Sequence, residues 1–358
     1  TAWLIQPSSG QVYMNLDAIT GTAVDPPGAS APMKSGVTSV KVRVRRPSDN
    51  SCFDGATFGS CSGSSDLAVT GTDPWQYTNA SLTGQLASGT TYVVTVQAAD
   101  AAGNPQAGFT PVISSRTVHI DKAPPTVGFT KPVHLSAYQP AVLAGGSGLT
   151  GTASDGEAFL YNGDPILATG VHSLIWYLDG GTSFYFNSAA CAPSNFCATT
   201  TPAASWATAT WAGSWELFFN AANWVSDKQY RAQVRARDRA RVSTGTVVGN
   251  LSVPGTVGRD YVDFIVDGTP PQTAVKSHAN GAFIQNLAAV FGTANSDLAG
   301  AASYYLRITT KAAGSPEAYW NGAVWTMNPT NMPVAVVGTT GTVSWTSPGT
   351  ILGQSAPN

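Results

Sequence analysis

Apolar and polar residues alternate along short stretches of this chain, in runs such as Val40-x-Val42-x-Val44, Tyr92-x-Val94-x-Val96-x-Ala98 and Leu174-x-Trp176-x-Leu178. A period of two sends successive side chains to opposite faces, the pattern of a half-buried β-strand. Clusters of Gly, Pro, Asn and Asp separate the runs. No segment of helical length carries an apolar stripe at i, i+3, i+4 with capping residues. About seven short strands in each stretch of roughly 130 residues predict two-sheet sandwiches. The fold class is all-β.

The strand pattern is also periodic on a longer scale. Tyr92-x-Val94-x-Val96-x-Ala98-x-Asp100 recurs as Tyr230-x-Ala232-x-Val234-x-Ala236-x-Asp238, and Val118-His-Ile-Asp121 with Pro124-Pro125 recurs as Phe264-Ile-Val-Asp267 with Pro270-Pro271. Gly-Thr-Ala stands at Gly21, Gly151 and Gly292, each time ahead of an alternating run, with Gly36-Val-Thr-Ser-Val40 matched to Gly170-Val-His-Ser-Leu174 and Gly300-Ala-Ala-Ser-Tyr304. Trp75, Trp215 and Trp345 correspond, and are expected in the core. A period of 130 to 146 residues is the length of a domain and too long for a solenoid repeat. The expected organisation is a domain at 1–123, a second at 124–271 and a partial third at 272–358. The first two would be joined at Pro124-Pro125 with few contacts between them. Proline fixes its own φ and restricts the residue before it, so such linkers make a row of domains stiff. The third repeat stops short of its last two strands. The chain therefore reads as a window on a longer protein, the missing strands coming from further chain or from a neighbouring copy.

These residues carry a family resemblance. Asp100-Ala-Ala-Gly-Asn104 after a Tyr-x-Val-x-Val-x-Ala strand, followed by Val-x-Ile-Asp-x-x-Pro-Pro, resembles the C-terminal half of bacterial immunoglobulin-like repeats. Tyr319-Trp-Asn-Gly-Ala-Val-Trp325 resembles another segment of the same repeats. The resemblance implies tandem immunoglobulin-like sandwiches of the kind found in large bacterial surface proteins and adhesins. Repeat two departs from it, with Asp238-Arg-Ala-Arg-Val242 in place of the Asp-Ala-Ala-Gly-Asn turn.

Charged residues make up 11% of the chain and its net charge is −2, against about 25% charged residues in ordinary domains. The basic runs at Lys41–Arg46 and Arg231–Arg241 alternate along strands, which reads as a solvated face and not as a nucleic-acid footprint. No apolar stretch reaches the roughly 20 residues that cross a bilayer as a helix. The cysteines fall as two local pairs, Cys52 with Cys61 and Cys191 with Cys197, without zinc-site spacing or a nearby histidine. Two loop-closing disulfides are expected, and with them an extracellular or cell-surface setting.

No catalytic residues are expected, because the four histidines are scattered and no phosphate loop or nucleophile motif occurs. Calcium is the one cofactor the sequence raises. Loop connectivity in such a sandwich brings Asp155, Asp238 and the linker Asp121 to one end, and Asp267 towards Asp297 at the next junction. A hard cation needs such an oxygen cage; the competing reading is that these aspartates cap turns. Trp206, Trp211 and Trp224 lack counterparts in the other repeats and are candidates for stacking on a glycan, against the plainer reading of buried aromatics. The function expected is that of a non-enzymatic structural segment of a long extracellular bacterial protein: a stalk, an adhesin, or a self-assembling filament or layer. Its partners would be copies of itself or further domains of its own chain. The alternative is a carbohydrate-binding array attached to a secreted enzyme.

Overall fold

The computed structural model describes residues 1–25, 34–156, 170–187, 191, 194–198, 202–283, 287–296, 299, 303–310, 316–337 and 341–347. Its buried apolar side chains form separate clusters, from Ala2 to Ile120, from Val127 to Val266 and from Val290 to Trp345. Each cluster lies between β-sheets, so the protein is a tandem of sandwiches. A short α-helix, Ala80–Gln85, is capped by Asn79, whose side chain accepts from Ser81 N.

In the first unit a three-stranded sheet runs in the order Ala2–Gln6, Ala18–Ala23, Trp75–Thr78. The larger sheet facing it has the order Gln11–Tyr13, Ser115–Ile120, Thr90–Asp100, Val37–Arg46, Ser51–Phe53, Phe58–Ser60, with Leu67–Ala68 also paired to Val37–Arg46. The second unit repeats this plan. Thr126–Lys131, Gly145–Ser154 and Trp215–Phe219 make the smaller sheet with Thr210–Trp211, and Lys228–Arg235 sits between Tyr261–Val266 and His172–Asp179 in the larger one. Alternation places Val40, Val42, Val44, Tyr92, Val94 and Val96 in the first core. Tyr92 and Tyr230 each turn the hydroxyl back on the chain five residues upstream, accepting from Ala87 N (2.9 Å) and Val225 N (2.8 Å). This is the tyrosine corner of immunoglobulin-like sandwiches. In the third unit Gln272–Val275, Phe291–Ser296, Gly341–Thr346 and Ala335–Val337 reproduce the smaller sheet, and the opposing layer consists of separate two- and three-stranded pieces.

One strand is placed differently from its sequence alignment. Val44 pairs with Val94 in the first unit, whereas Ile175 pairs with Ala232, the counterpart of Val94, in the second. Ile175 therefore corresponds to Val44, and Leu174 corresponds to Arg43, not to Val40. The inward residues are Ser173, Ile175 and Tyr177, while Trp176 is half-buried and Leu178 exposed on the outer face. Both faces of this strand are apolar, so period two alone cannot choose between them. Trp176 is held outside by register: it lies opposite Tyr185 on one side and Arg231 on the other, with the Trp176 and Tyr185 rings stacked at 5.6 Å.

Both disulfides form, Cys52–Cys61 with Cα atoms 4.9 Å apart and Cys191–Cys197 with 5.5 Å, and no free cysteine remains.

Candidate metal centre and clasp at the first junction

Three strand ends meet where the first unit passes into the second. Asp121 follows Ser115–Ile120, Asp155 follows Gly145–Ser154, and Asp238 follows Lys228–Arg235. Their exposures are 1%, 5% and 0%, and one carboxylate oxygen from each lies within 4.8 Å of the others. Asp121 is fixed through its own backbone, its N–H donating to Tyr13 O at 2.9 Å, and its Oδ1 accepts from Ala123 N. Asp238 Oδ1 accepts from Ala240 N and Asn250 N, both at 2.8 Å, and Oδ2 accepts from the Asn250 amide at 2.7 Å. The same amide donates to Asp121 O at 3.1 Å, which joins the linker to the second unit. Burial pushes the Asp238 carboxyl above its usual range, against the hydrogen bonds that favour the anion.

Three carboxylates at this spacing and depth repel one another unless protons or a cation neutralise them. The donor set is all oxygen, which suits a hard divalent cation of the calcium type, and backbone carbonyls are available to add to it. Asp121, Asp155 and Asp238 would be the residues that hold it. At the next junction Asp267 is half-buried, with Oδ1 accepting from Thr269 N at 2.9 Å, and it belongs to no such cluster among the described residues. Asp297 lies outside the described residues.

Asn250 was not among the residues singled out from the sequence, yet its geometry is repeated in the first unit. There Asp100 Oδ1 accepts from Asn104 N at 2.8 Å, Oδ2 accepts from the Asn104 amide at 3.0 Å, and Asp100 N donates to Asn104 O at 3.2 Å. Asp238 and Asn250 make the same three contacts. Glycine precedes the asparagine both times, with φ +84° at Gly103 and +73° at Gly249. A Cβ on Gly249 would stand 2.2 Å from Asp238 O, so only glycine fits. The pair Gly249-Asn250 was the available signal, hidden by distance from Asp238.

The residues between them, 239–249, replace the short turn 101–103 and project as an arm onto the first unit. Arg241 N donates to Val12 O at 3.0 Å and Met14 N donates to Arg241 O at 2.7 Å, so Arg241 pairs in parallel with Tyr13. Arg241 Nε donates to Gln11 Oε1 at 3.0 Å, and Ser243 N to Asn15 Oδ1 at 2.8 Å. The arm thus covers the outer edge of the first unit's larger sheet. The expected sparse junction is corrected by this clasp, although the two hydrophobic cores stay separate.

The three candidate stacking tryptophans do not form a strip. Trp224 is 5% exposed, sits among Phe219, Tyr230 and Phe264, and donates from Nε1 to Leu143 O. Trp211 is half-buried against the second core. Trp206 is half-buried with the Arg235 guanidinium 4.0 Å above its ring, and it lines an open cleft of about 480 Å³.

No protein-family profile and no curated protein matches the chain. Among solved structures it is similar to a tetra-tandem repeat in the extending region of a large adhesion protein, at 15% identity over 98% of this chain and 73% of that one, with a TM-score of 0.27. It is also similar to part of a 1.5-MDa bacterial ice-binding adhesin, at 12% identity over 93% and 79%, with a TM-score of 0.32. A human desmocollin-1 ectodomain follows at 11% identity over 97% and 52%, with a TM-score of 0.22. Scores this low carry no argument beyond the one made from the chain's own residues.

Proposed function

We propose that this chain is a structural segment of an extracellular protein built from tandem immunoglobulin-like sandwiches, and that its first junction is held rigid by a calcium ion between Asp121, Asp155 and Asp238. One observation carries the reading: the buried aspartate cluster and the clasp occur at the same junction and share Asn250. A cation there would tie the linker to two loops of the second unit, and the clasp ties that unit to the first unit's sheet edge. Two fastenings across one linker suit a part that transmits force or sets a spacing. The two disulfides fit an oxidising setting outside the cell.

The test is calorimetric titration of the chelator-treated full chain with calcium, alongside small-angle scattering. The expected result is saturable binding and a narrower distribution of interunit geometry with the ion. At a hundredfold excess over Kd the ion would add about 2.7 kcal/mol of stability. Absence of binding at millimolar calcium removes the metal from the proposal.

A further inference from the structure

The two complete units can be compared position by position on the outer face of the larger sheet. Lys41 pairs with Gln97 and Ala68 in the first unit, and His172 pairs with Arg235 and Thr208 in the second. Gln97 therefore corresponds to Arg235, Arg43 to Leu174, and Asp66 to Trp206. In the first unit this patch satisfies itself: Arg43 Nε donates to Asp66 Oδ1 at 2.8 Å and the pair forms a salt bridge, while the Gln97 amide donates to Gln106 O. In the second unit the acid has become Trp206, its basic partner Leu174, and the neutral amide a guanidinium.

Arg235 has no carboxylate partner among the described residues. Its guanidinium carbon lies 4.0 Å from the centre of the Trp206 ring, and its Nε is buried with no acceptor, which leaves the Nη groups as the available donors. An aromatic ring beneath a guanidinium fixes the orientation of its fork and leaves its charge intact. Arg237 and Arg241, further along the same stretch, spend their donors on backbone carbonyls and Gln11, also without a carboxylate. Arg235 is thus a cation without a paired carboxylate among the described residues. Beside it opens the Trp206 cleft, whose polar groups include Asn187, Thr208, Thr210 and Glu216. Its size falls within the usual range of small-molecule sites, roughly 300–1,000 Å³.

We propose that this cleft binds a saccharide carrying a carboxylate, with the carboxylate on the Arg235 fork and the sugar ring against Trp206 in the cleft. The charge calls for an anion, and the planar fork matches the two oxygens of a carboxylate. The hydroxyl, amide and carboxylate groups on the cleft wall suit a ring bearing several hydroxyls, with Glu216 accepting from them. The first unit, with its closed Arg43–Asp66 pair, has no such site.

The experiment uses the full chain and a panel of oligosaccharides bearing uronate or sialate carboxylates, each beside its methyl ester, followed by calorimetry. At least one acid form should bind saturably, its ester about tenfold or more weakly, a difference of about 1.4 kcal/mol. Arg235→Gln, which installs the first unit's residue, should lose about tenfold. Trp206→Asp should abolish binding, because the new carboxylate would occupy Arg235. Asp66→Ala in the first unit should change nothing. Thermal midpoints confirm that each variant is folded; if Trp206→Asp is not, Arg235→Gln decides. Absence of binding across the panel, equal binding of acid and ester, an unchanged Arg235→Gln, or equal binding of an acidic tripeptide would each overturn the proposal.

Discussion

Gly151 lies directly opposite Trp215 on the neighbouring strand, and the indole lies so close over it that a Cβ on Gly151 would stand 2.5 Å from the ring. The same pair occurs as Gly21 with Trp75 and as Gly292 with Trp345. The recurrent Gly-Thr-Ala is therefore a seat for a tryptophan. A side chain there would also strike a backbone oxygen of the first strand, Gly128 O at 2.0 Å in the second unit.

Gly151→Ala is accordingly expected to destabilise the second unit by about 1–3 kcal/mol through overpacking that cannot relax without moving backbone. Urea unfolding followed by tryptophan fluorescence measures it; an unchanged midpoint would show that the strands yield more easily than their contacts indicate.

Replacing 239–249 by the first unit's Ala-Ala-Gly should leave the Asp238–Asn250 ring intact and remove the clasp. The expected outcome is a folded chain whose two units reorient freely. Limited proteolysis near Pro124-Pro125 and scattering curves report it, and a junction as rigid as before would deny the arm its role.

Asp155→Asn should change sign with the medium. Without divalent ions it removes one of three crowded carboxylates and raises the thermal midpoint. With calcium it removes a ligand and lowers the midpoint relative to the parent chain. Effects of one sign in both media would mean that the cluster holds no cation.

Mild acid should weaken the fold through its half-buried histidines. Burial lowers the pKa of His119, and burial followed by repulsion from Arg235 lowers that of His172. Unfolded histidine takes up its proton near about 6.5, so between that pH and the depressed folded values the unfolded chain binds more protons. Stability is held above about 6.5 and falls as pH drops through this window. Thermal melts in steps from neutral to mildly acid pH should show the decline, and His119→Gln with His172→Gln should flatten it.

Sequence patterning carried the tandem sandwich and the inward valines of the first unit, because there one face is apolar and the other basic. It also brought Asp121, Asp155 and Asp238 together, since loop connectivity in a sandwich determines which ends meet. The strand His172–Asp179 is ambiguous in sequence because Leu174, Trp176 and Leu178 are as apolar as Ile175 and Tyr177 on the opposite face. Trp224 and Trp206 look alike in sequence; one lies among core aromatics and the other under an arginine, a difference set by contacts distant along the chain. The clasp was invisible for a related reason: its anchor, Asp238 with Asn250, is a five-residue turn pulled open by an insertion.

The clasp also gives the tandem a direction of assembly. Val12 O and Met14 N at the rim of the first unit find their partners in Arg241, a residue synthesised more than two hundred positions later. The first unit can bury its core early, but it keeps an open strand edge until its successor has folded and reached back. An open edge invites pairing with any extended chain nearby, so until then the first unit is vulnerable to adhering to a neighbour. The arm ends an interval of risk for the first unit, and the order in which the two units fold decides how long that interval lasts.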